Sequence, residues 1–417
     1  MNDTPTRPLA PRIDARQLIS DLDETAKFGA TAEGGVSRLT LTPEDVQVRT
    51  WFAEAVQNLG GTIRRDKIGN MFALFPGQDP SLPPLAFGSH LDTQPTGGRF
   101  DGILGVLGGL AVVRALKAAE RFTRHPLCLI NWTNEEGARF APTMLGSGVH
   151  AGIYEMSSMM KAIDRDGITL SEALERSGEA GLEQPGGIEL SAWVELHIEQ
   201  GPVLERMGRQ AAAVVGVQGL RWYEVQILGR AAHAGTTPRQ DRQDAFLAAA
   251  RLALDVDREI TELGGLVTFG EIQIPQASRN VVPGEVRLSV DLRHQENKKL
   301  DQMEEVLREH VTAVGRRALG MTSSIRSVFK NAPVRFDQTV INAVRSALVD
   351  EHLPDLTVVS GAGHDAVNLS YSIPTAMIFV PSRDGISHNP KEFTSSDDCV
   401  LGAQLLLNAV LHLDEAF

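Results

Sequence analysis

The chain has 417 residues, 42% of them apolar and 22% charged, which describes a globular protein long enough for two domains. Its 40 Lys+Arg against 53 Asp+Glu leave a net charge of −13 that is spread along the chain, which excludes a nucleic-acid surface. Cys128 and Cys399 are the only cysteines, so neither a disulfide framework nor a thiolate metal site is available. No hydrophobic signal core opens the sequence, and the longest apolar run, Leu104 to Val113, is about half of a bilayer span. A cytoplasmic protein with no membrane partner is expected.

In chain order, helices are predicted over Ala15–Phe28 and from Thr42 to Gly60. The second carries an N-cap Thr42, Pro43 at the first helical position, and Glu44 and Asp45 in the first turn. Strands are predicted at Asn70–Phe75, Pro84–Gly88, Leu127–Thr133 and Trp193–Ile198, with a helix at Ile103–Glu120 between two of them. This alternation predicts an α/β catalytic domain, its mostly parallel sheet flanked by helices. The texture changes near Ala213. A long β-rich run, Ala211–Leu228, precedes a helix from near Asp241, strands near Leu266–Ile274 and Glu285–Leu292, a helix over Glu296–Val314 and a strand near Ser323–Lys330. That order is the split βαβ pattern. The α/β texture returns with Thr357–Ser360, Thr375–Val380 and a helix at Ser396–Leu411. The expectation is a discontinuous catalytic domain, 1–213 and 329–417, with an inserted α+β domain at 214–328.

The chemistry concentrates where strands end. Glu135 and Glu136 stand side by side after the apolar run Leu127–Trp132, where burial and mutual repulsion call for a positive partner. A metal ion suits them, because one carboxylate can bind it while the other handles protons. His90, Asp92 and Asp101 follow one strand, His197 closes another, and His388 lies past Thr375–Val380. Three histidines and two or three carboxylates at strand ends suit zinc or a similar divalent ion. Gly102, Gly105, Gly108 and Gly109 do not have the dinucleotide spacing, and Ser147-Gly148 is no nucleophile elbow.

Seven segments in one order, GSHLDTQPTGGRFDG, TNEEGARF, HIEQGPVLE, AAHAGTTP, SRNVVPG, GAGHDA and SHNPKE, resemble the hydantoinase/carbamoylase family of amidases. That family is a branch of the dinuclear aminoacylase- and carboxypeptidase G-like metallohydrolases, and the resemblance runs from about Ile13 to the C-terminus. It implies two divalent ions per subunit, zinc first, with manganese, cobalt and nickel as alternatives. His90, Asp101 and His197 would hold one ion and Asp101, Glu136 and His388 the other, with Asp101 bridging. Asp92 would fix the ring of His90, and Glu135 would be the general base. His233 would stabilise the transition state from the partner subunit of a homodimer. Asn280 and Arg293 would clamp a substrate carboxylate, Gln200 and Gly363 would line the carbamoyl pocket, and Arg221 joins the substrate set. His364 and Asp365 are given a structural role. Arg239 departs from the apolar residue that relatives often carry there.

The implied reaction is hydrolysis of a small N-carbamoyl-L-amino acid. The alternatives are allantoate, ureidoglycolate or N-carbamoyl-β-alanine as substrate, and, from another class, a catalytically silent ligand-binding homologue.

Overall fold

The computed structural model describes residues 11–317 and 320–417. Nine strands form one sheet: β1 (Thr62–Arg65), β2 (Met71–Phe75), β3 (Leu85–His90), β4 (Leu127–Trp132), β5 (Ala192–Ile198), β6 (Ala212–Val217), β7 (Val334–Arg335), β8 (Thr357–Ser360) and β9 (Thr375–Val380). Their order is β1-β2-β4-β3-β5-β9-β6-β7, with β8 also paired to β6. The centre, β4-β3-β5-β9, is parallel, and β2 and β6 join it antiparallel on either side. Every residue of those four central strands is buried. Continuous apolar runs are what a parallel sheet covered on both faces requires. The helices Ile103–Ala118, Gln338–Asp350 and Ser396–Ala416 pack on one another and on these strands. Among the described residues no helix is long and apolar enough to cross a membrane.

The chain divides into two compact units, one running up to Gly216 and resuming at Arg335, the other Val217–Val334. The second unit has a five-stranded antiparallel sheet built on Gly219–Leu228, Glu285–His294 and Thr322–Asn331, extended by Leu266–Thr268 and Ile272–Gln273. Its long strands alternate buried and less buried positions, as a sheet with one covered face should. The helices Ala245–Glu262 and Asn297–Arg317 supply Leu252, Val256, Leu300 and Leu307 to the core with Tyr223, Val225 and Val290 from the strands.

The single run expected at Ala211–Leu228 is two strands that break at Gln218 and enter different sheets. The segment expected at Leu266–Ile274 is likewise two short strands either side of Gly270.

What matters for chemistry is where the parallel strands end. The carboxyl ends of β3, β4, β5 and β9 deliver His90, the Glu135 loop, His197 and the His388 loop to one edge of the sheet, the usual ligand side of such sheets.

Candidate metal centre

Backbone shape sets this edge. Gly102 has φ +68, and a Cβ there would lie 2.2 Å from the His90 ring, so only glycine lets the Asp101 loop close against that imidazole. Asn134 also takes a left-handed conformation, φ 58, and its side-chain amide donates to Phe140 O at 2.7 Å and Pro142 O at 3.3 Å. This clip folds the loop after β4 back, so that Met144 N–H donates to Glu135 O. Below, the fully buried Arg49 donates to Asp45 Oδ2 at 2.7 Å, Gly69 O at 2.8 Å and Thr133 Oγ1 at 3.2 Å. Arg38, equally buried, donates to Leu91 O at 2.7 Å beside His90.

The structure brings five of the predicted residues into two overlapping groups, His90/Asp101/His197 and Asp101/Glu136/His388, with ligand atoms in each group within 4.8 Å of one another. The division runs through the Asp101 carboxylate. Oδ1 lies 3.1 Å from His197 Nε2 and 3.9 Å from His90 Nε2, whereas Oδ2 lies 3.3 Å from His388 Nε2. His388 Nε2 is also 3.5 Å from Glu136 Oε2, and Gln94 Nε2 donates to that oxygen at 2.7 Å. Glu135 Oε2 sits 3.5 Å from His90 Nε2. Main-chain carbonyls orient two rings through Nδ1, Asp92 O for His90 and Ile198 O for His197, each at 2.9 Å, which leaves Nε2 aimed inward.

Asp92 therefore meets the His90 ring through its backbone carbonyl, with its carboxylate farther off at 3.8 Å. The carboxylate instead accepts the N–H groups of Glu135 and Glu136 at 3.3 and 3.4 Å. Burial, then repulsion from Asp45, raises Asp92 to about 7 against the opposing charge of Arg49.

Charge balance tests whether a cation fits. Burial drives Glu135 well above the carboxylate range, with repulsion from Asp365 and Glu136 adding to it. Burial, then the charge of Asp101, pushes Glu136 to about 8. Burial disfavours a charged His197, yet its hydrogen bond to Asp101 raises it to about 9, and the same bond raises His388 to about 9. Burial holds His90 down to about 4, while hydrogen bonds from His197 and His388 outweigh burial and keep Asp101 well below the usual range. Protons thus gather where the carboxylates call for positive charge. A pair of divalent ions would supply that charge and release those protons, so the residues fit the metals.

A third group, Glu195/His197/His364, also meets the distance criterion. Glu195 is already committed, accepting from Ser89 Oγ at 2.8 Å, Ala366 N at 3.0 Å and Trp193 Nε1 at 3.4 Å. Its nearby charge adds to the rise of His197.

The metal groups open on a cavity of about 190 Å³ lined by Gln94, Glu135, Met144, Gln200, Gly363 and His364 among others. Gln200 and Gly363 both line this cavity. Gln200 Nε2 donates to Asp101 Oδ2 at 2.9 Å, while its buried Oε1 has no hydrogen-bond partner. His364, expected to be structural, is on the cavity wall with its ring 4.4 Å from that of His197.

The remaining predicted residues lie in the second unit. His233 and Asn280 are brought together, since His233 pairs with Val281 and Ala234 N–H donates to Asn280 O at 2.8 Å. Arg293 is bound through Nε and Nη2 to Asp291 Oδ2 at 3.0 and 2.9 Å. Arg221 is engaged elsewhere. Its guanidinium is spent within its own unit, donating to Asp301 Oδ1 at 2.5 Å, Glu304 Oε2 at 2.7 Å and Asn297 Oδ1 at 3.2 Å. Its three acceptors all lie on the helix Asn297–Arg317, so it ties strand to helix. Sequence reasoning also passed over Asn134, Ser387 and Glu392. The SHNPKE segment contains the last two, but nothing in it points to their partners near Asp101.

Fold and site together define a metal-dependent hydrolase of the α/β class. The chain belongs to peptidase family M20/M25/M40, whose family model matches residues 86–412. It is 41% identical over 406 residues to the N-carbamoyl-L-amino-acid amidohydrolase of Rhizobium meliloti, covering 97% of each protein. It is 32% identical over 407 residues to the allantoate amidohydrolase of Bacillus subtilis, covering 96% of this chain and 98% of that one. A hydantoinase/carbamoylase-family amidase from Burkholderia multivorans has a closely similar structure, with a TM-score of 0.92 at 43% identity over 96% of this chain and 98% of that one.

Proposed function

We propose that this protein hydrolyses the carbamoyl amide of an N-carbamoyl-L-amino acid, giving the amino acid, carbon dioxide and ammonia. The observation that carries the reading is the split of Asp101, whose two oxygens face different histidines, beside a buried Glu135 that neither metal group contains. His90, Asp101 and His197 would hold one divalent ion, and Asp101, Glu136 and His388 the other, with zinc the first candidate. When bound, such ions acidify a water and stabilise negative charge on a carbonyl oxygen. Glu135 takes the proton of the attacking water as the new C–O bond forms at the ureido carbon. It then passes that proton to the departing amine nitrogen as the C–N bond breaks, and the carbamate fragment separates into carbon dioxide and ammonia. The unpartnered Gln200 Oε1 offers an acceptor to a ureido N–H, a donor that a simple ester would lack.

Asn280 and Arg293 would bind the substrate carboxylate and His233 would act on the partner subunit's substrate. The homodimer this needs is supported by apolar residues exposed in the second unit, Phe246, Leu247 and Leu254 on one helix and the Trp222–Phe329 pair.

A panel of N-carbamoyl-L-alanine, N-carbamoyl-β-alanine, allantoate, ureidoglycolate and a dipeptide, assayed for ammonia or amine release by zinc-loaded protein, tests this reading. Turnover should be highest on N-carbamoyl-L-alanine and absent on the dipeptide. Preferred turnover of allantoate or ureidoglycolate would replace the substrate, and none on any member would leave a binding protein.

The same site predicts how stability responds to pH. His197 and His388 at about 9 lie above the unfolded imidazole value, and Glu136 at about 8 lies above the unfolded carboxylate value. Each binds more proton when folded, so each loses stabilisation as pH rises. His90, depressed to about 4, works the other way, but only below about 6.5. Metal-free protein is therefore expected to melt at lower temperature as pH climbs from 6.5 to 9. Added zinc should raise Tm more at pH 8.5 than at pH 6.5. Equal zinc-induced shifts at both values would contradict the proton-for-metal exchange.

A further inference from the structure

Glu392 lies four residues beyond His388 and is buried, with 4% of its surface exposed. Its Oε1 accepts two consecutive main-chain N–H groups, Phe100 at 3.0 Å and Asp101 at 3.1 Å. Its Oε2 accepts Ser387 Oγ at 2.9 Å, and the same hydroxyl lies 3.2 Å from Asp101 Oδ2. One carboxylate therefore grips the Asp101 backbone, and the single Ser387 hydroxyl proton lies between it and the Asp101 side chain, within reach of either. The strap also joins the loop carrying Asp101 to the loop carrying His388. Room for it is built in, because a Cβ on Gly98 would lie 2.1 Å from Glu392 Oε1.

We propose that Glu392, with Ser387, is a positioning residue that fixes the rotation of the Asp101 carboxylate and so determines whether the chain can hold two ions. The proposal rests on the dinuclear reading above. An aspartate that must bridge has little freedom, since a turn about its Cβ–Cγ bond moves both oxygens off their histidines at once. Glu392 suits the task because its two carboxyl oxygens take the Phe100 and Asp101 N–H groups and the Ser387 hydroxyl from opposite sides. Ser387 acts on Oδ2, the oxygen facing His388, so its loss should weaken that half selectively.

Zinc titration of metal-free protein, followed by calorimetry and by metal content after dialysis, tests the strap without substrate. Glu392→Ala is expected to weaken retention of both ions by about 10–100-fold, the usual effect of removing an outer partner of a ligand. Glu392→Gln, which keeps Oε1 but places an amide against Ser387, should recover part of that loss. Ser387→Ala should weaken one of two binding events, with the Tm of the metal-free protein unchanged. Gly98→Ala, which displaces Glu392 without touching its chemistry, should reproduce the loss. Two ions bound with wild-type affinity by Glu392→Ala and Gly98→Ala would overturn the strap alone. Wild-type protein that takes up no zinc would overturn the dinuclear reading together with it.

Discussion

Glu135→Gln is expected to cut turnover by about 10²–10⁴-fold while both ions stay bound, the range that removal of a positioned general base commands. The substitution keeps the size and the buried setting of the side chain but removes the oxygen that takes up a proton. Its neighbour makes the control. Glu136 faces His388 at 3.5 Å and is steadied by Gln94, so Glu136→Gln should lower metal content as well as rate. Measuring turnover and bound zinc on the same samples separates the two. Near-normal turnover in Glu135→Gln with two ions bound would remove the base from this residue, and His364 on the cavity wall would be the next candidate.

Asp101→Asn should be the most damaging change to the metal centre. Each oxygen of Asp101 serves a different histidine set, so exchanging one for an amide turns a shared acceptor into a donor aimed at an imidazole. The loss of affinity should exceed the ~10–100-fold typical of outer partners and should reach both halves. His90→Ala, which belongs to one group only, should instead leave one ion in place. Elemental analysis after dialysis reads both results. Two ions retained by Asp101→Asn would show that the carboxylate does not bridge.

Much of this site could be read from the sequence, because its residues sit where short apolar runs stop. His90, His197 and the paired glutamates each close a buried strand, and a buried parallel strand is legible as an unbroken apolar run. What could not be read depends on partners distant along the chain. Glu392 meets Phe100 and Asp101 across more than 290 positions, and its own neighbourhood looks like an ordinary polar loop. The break at Gln218 was hidden for another reason, since β propensity continues unchanged on both sides of it. The partners of Arg221 were hidden in the same way as those of Glu392, since its acidic acceptors lie about 80 residues away on a helix.

The two halves of the metal centre do not meet water equally. His90 and His197 are 1% exposed, whereas the side chain of His388 is 49% exposed. An ion in the half that His388 would complete would lie beside solvent, while one held by His90 and His197 would lie among buried side chains. Two ions so placed are expected to differ in release, and a chelator should strip the protein in two phases, the half with His388 first.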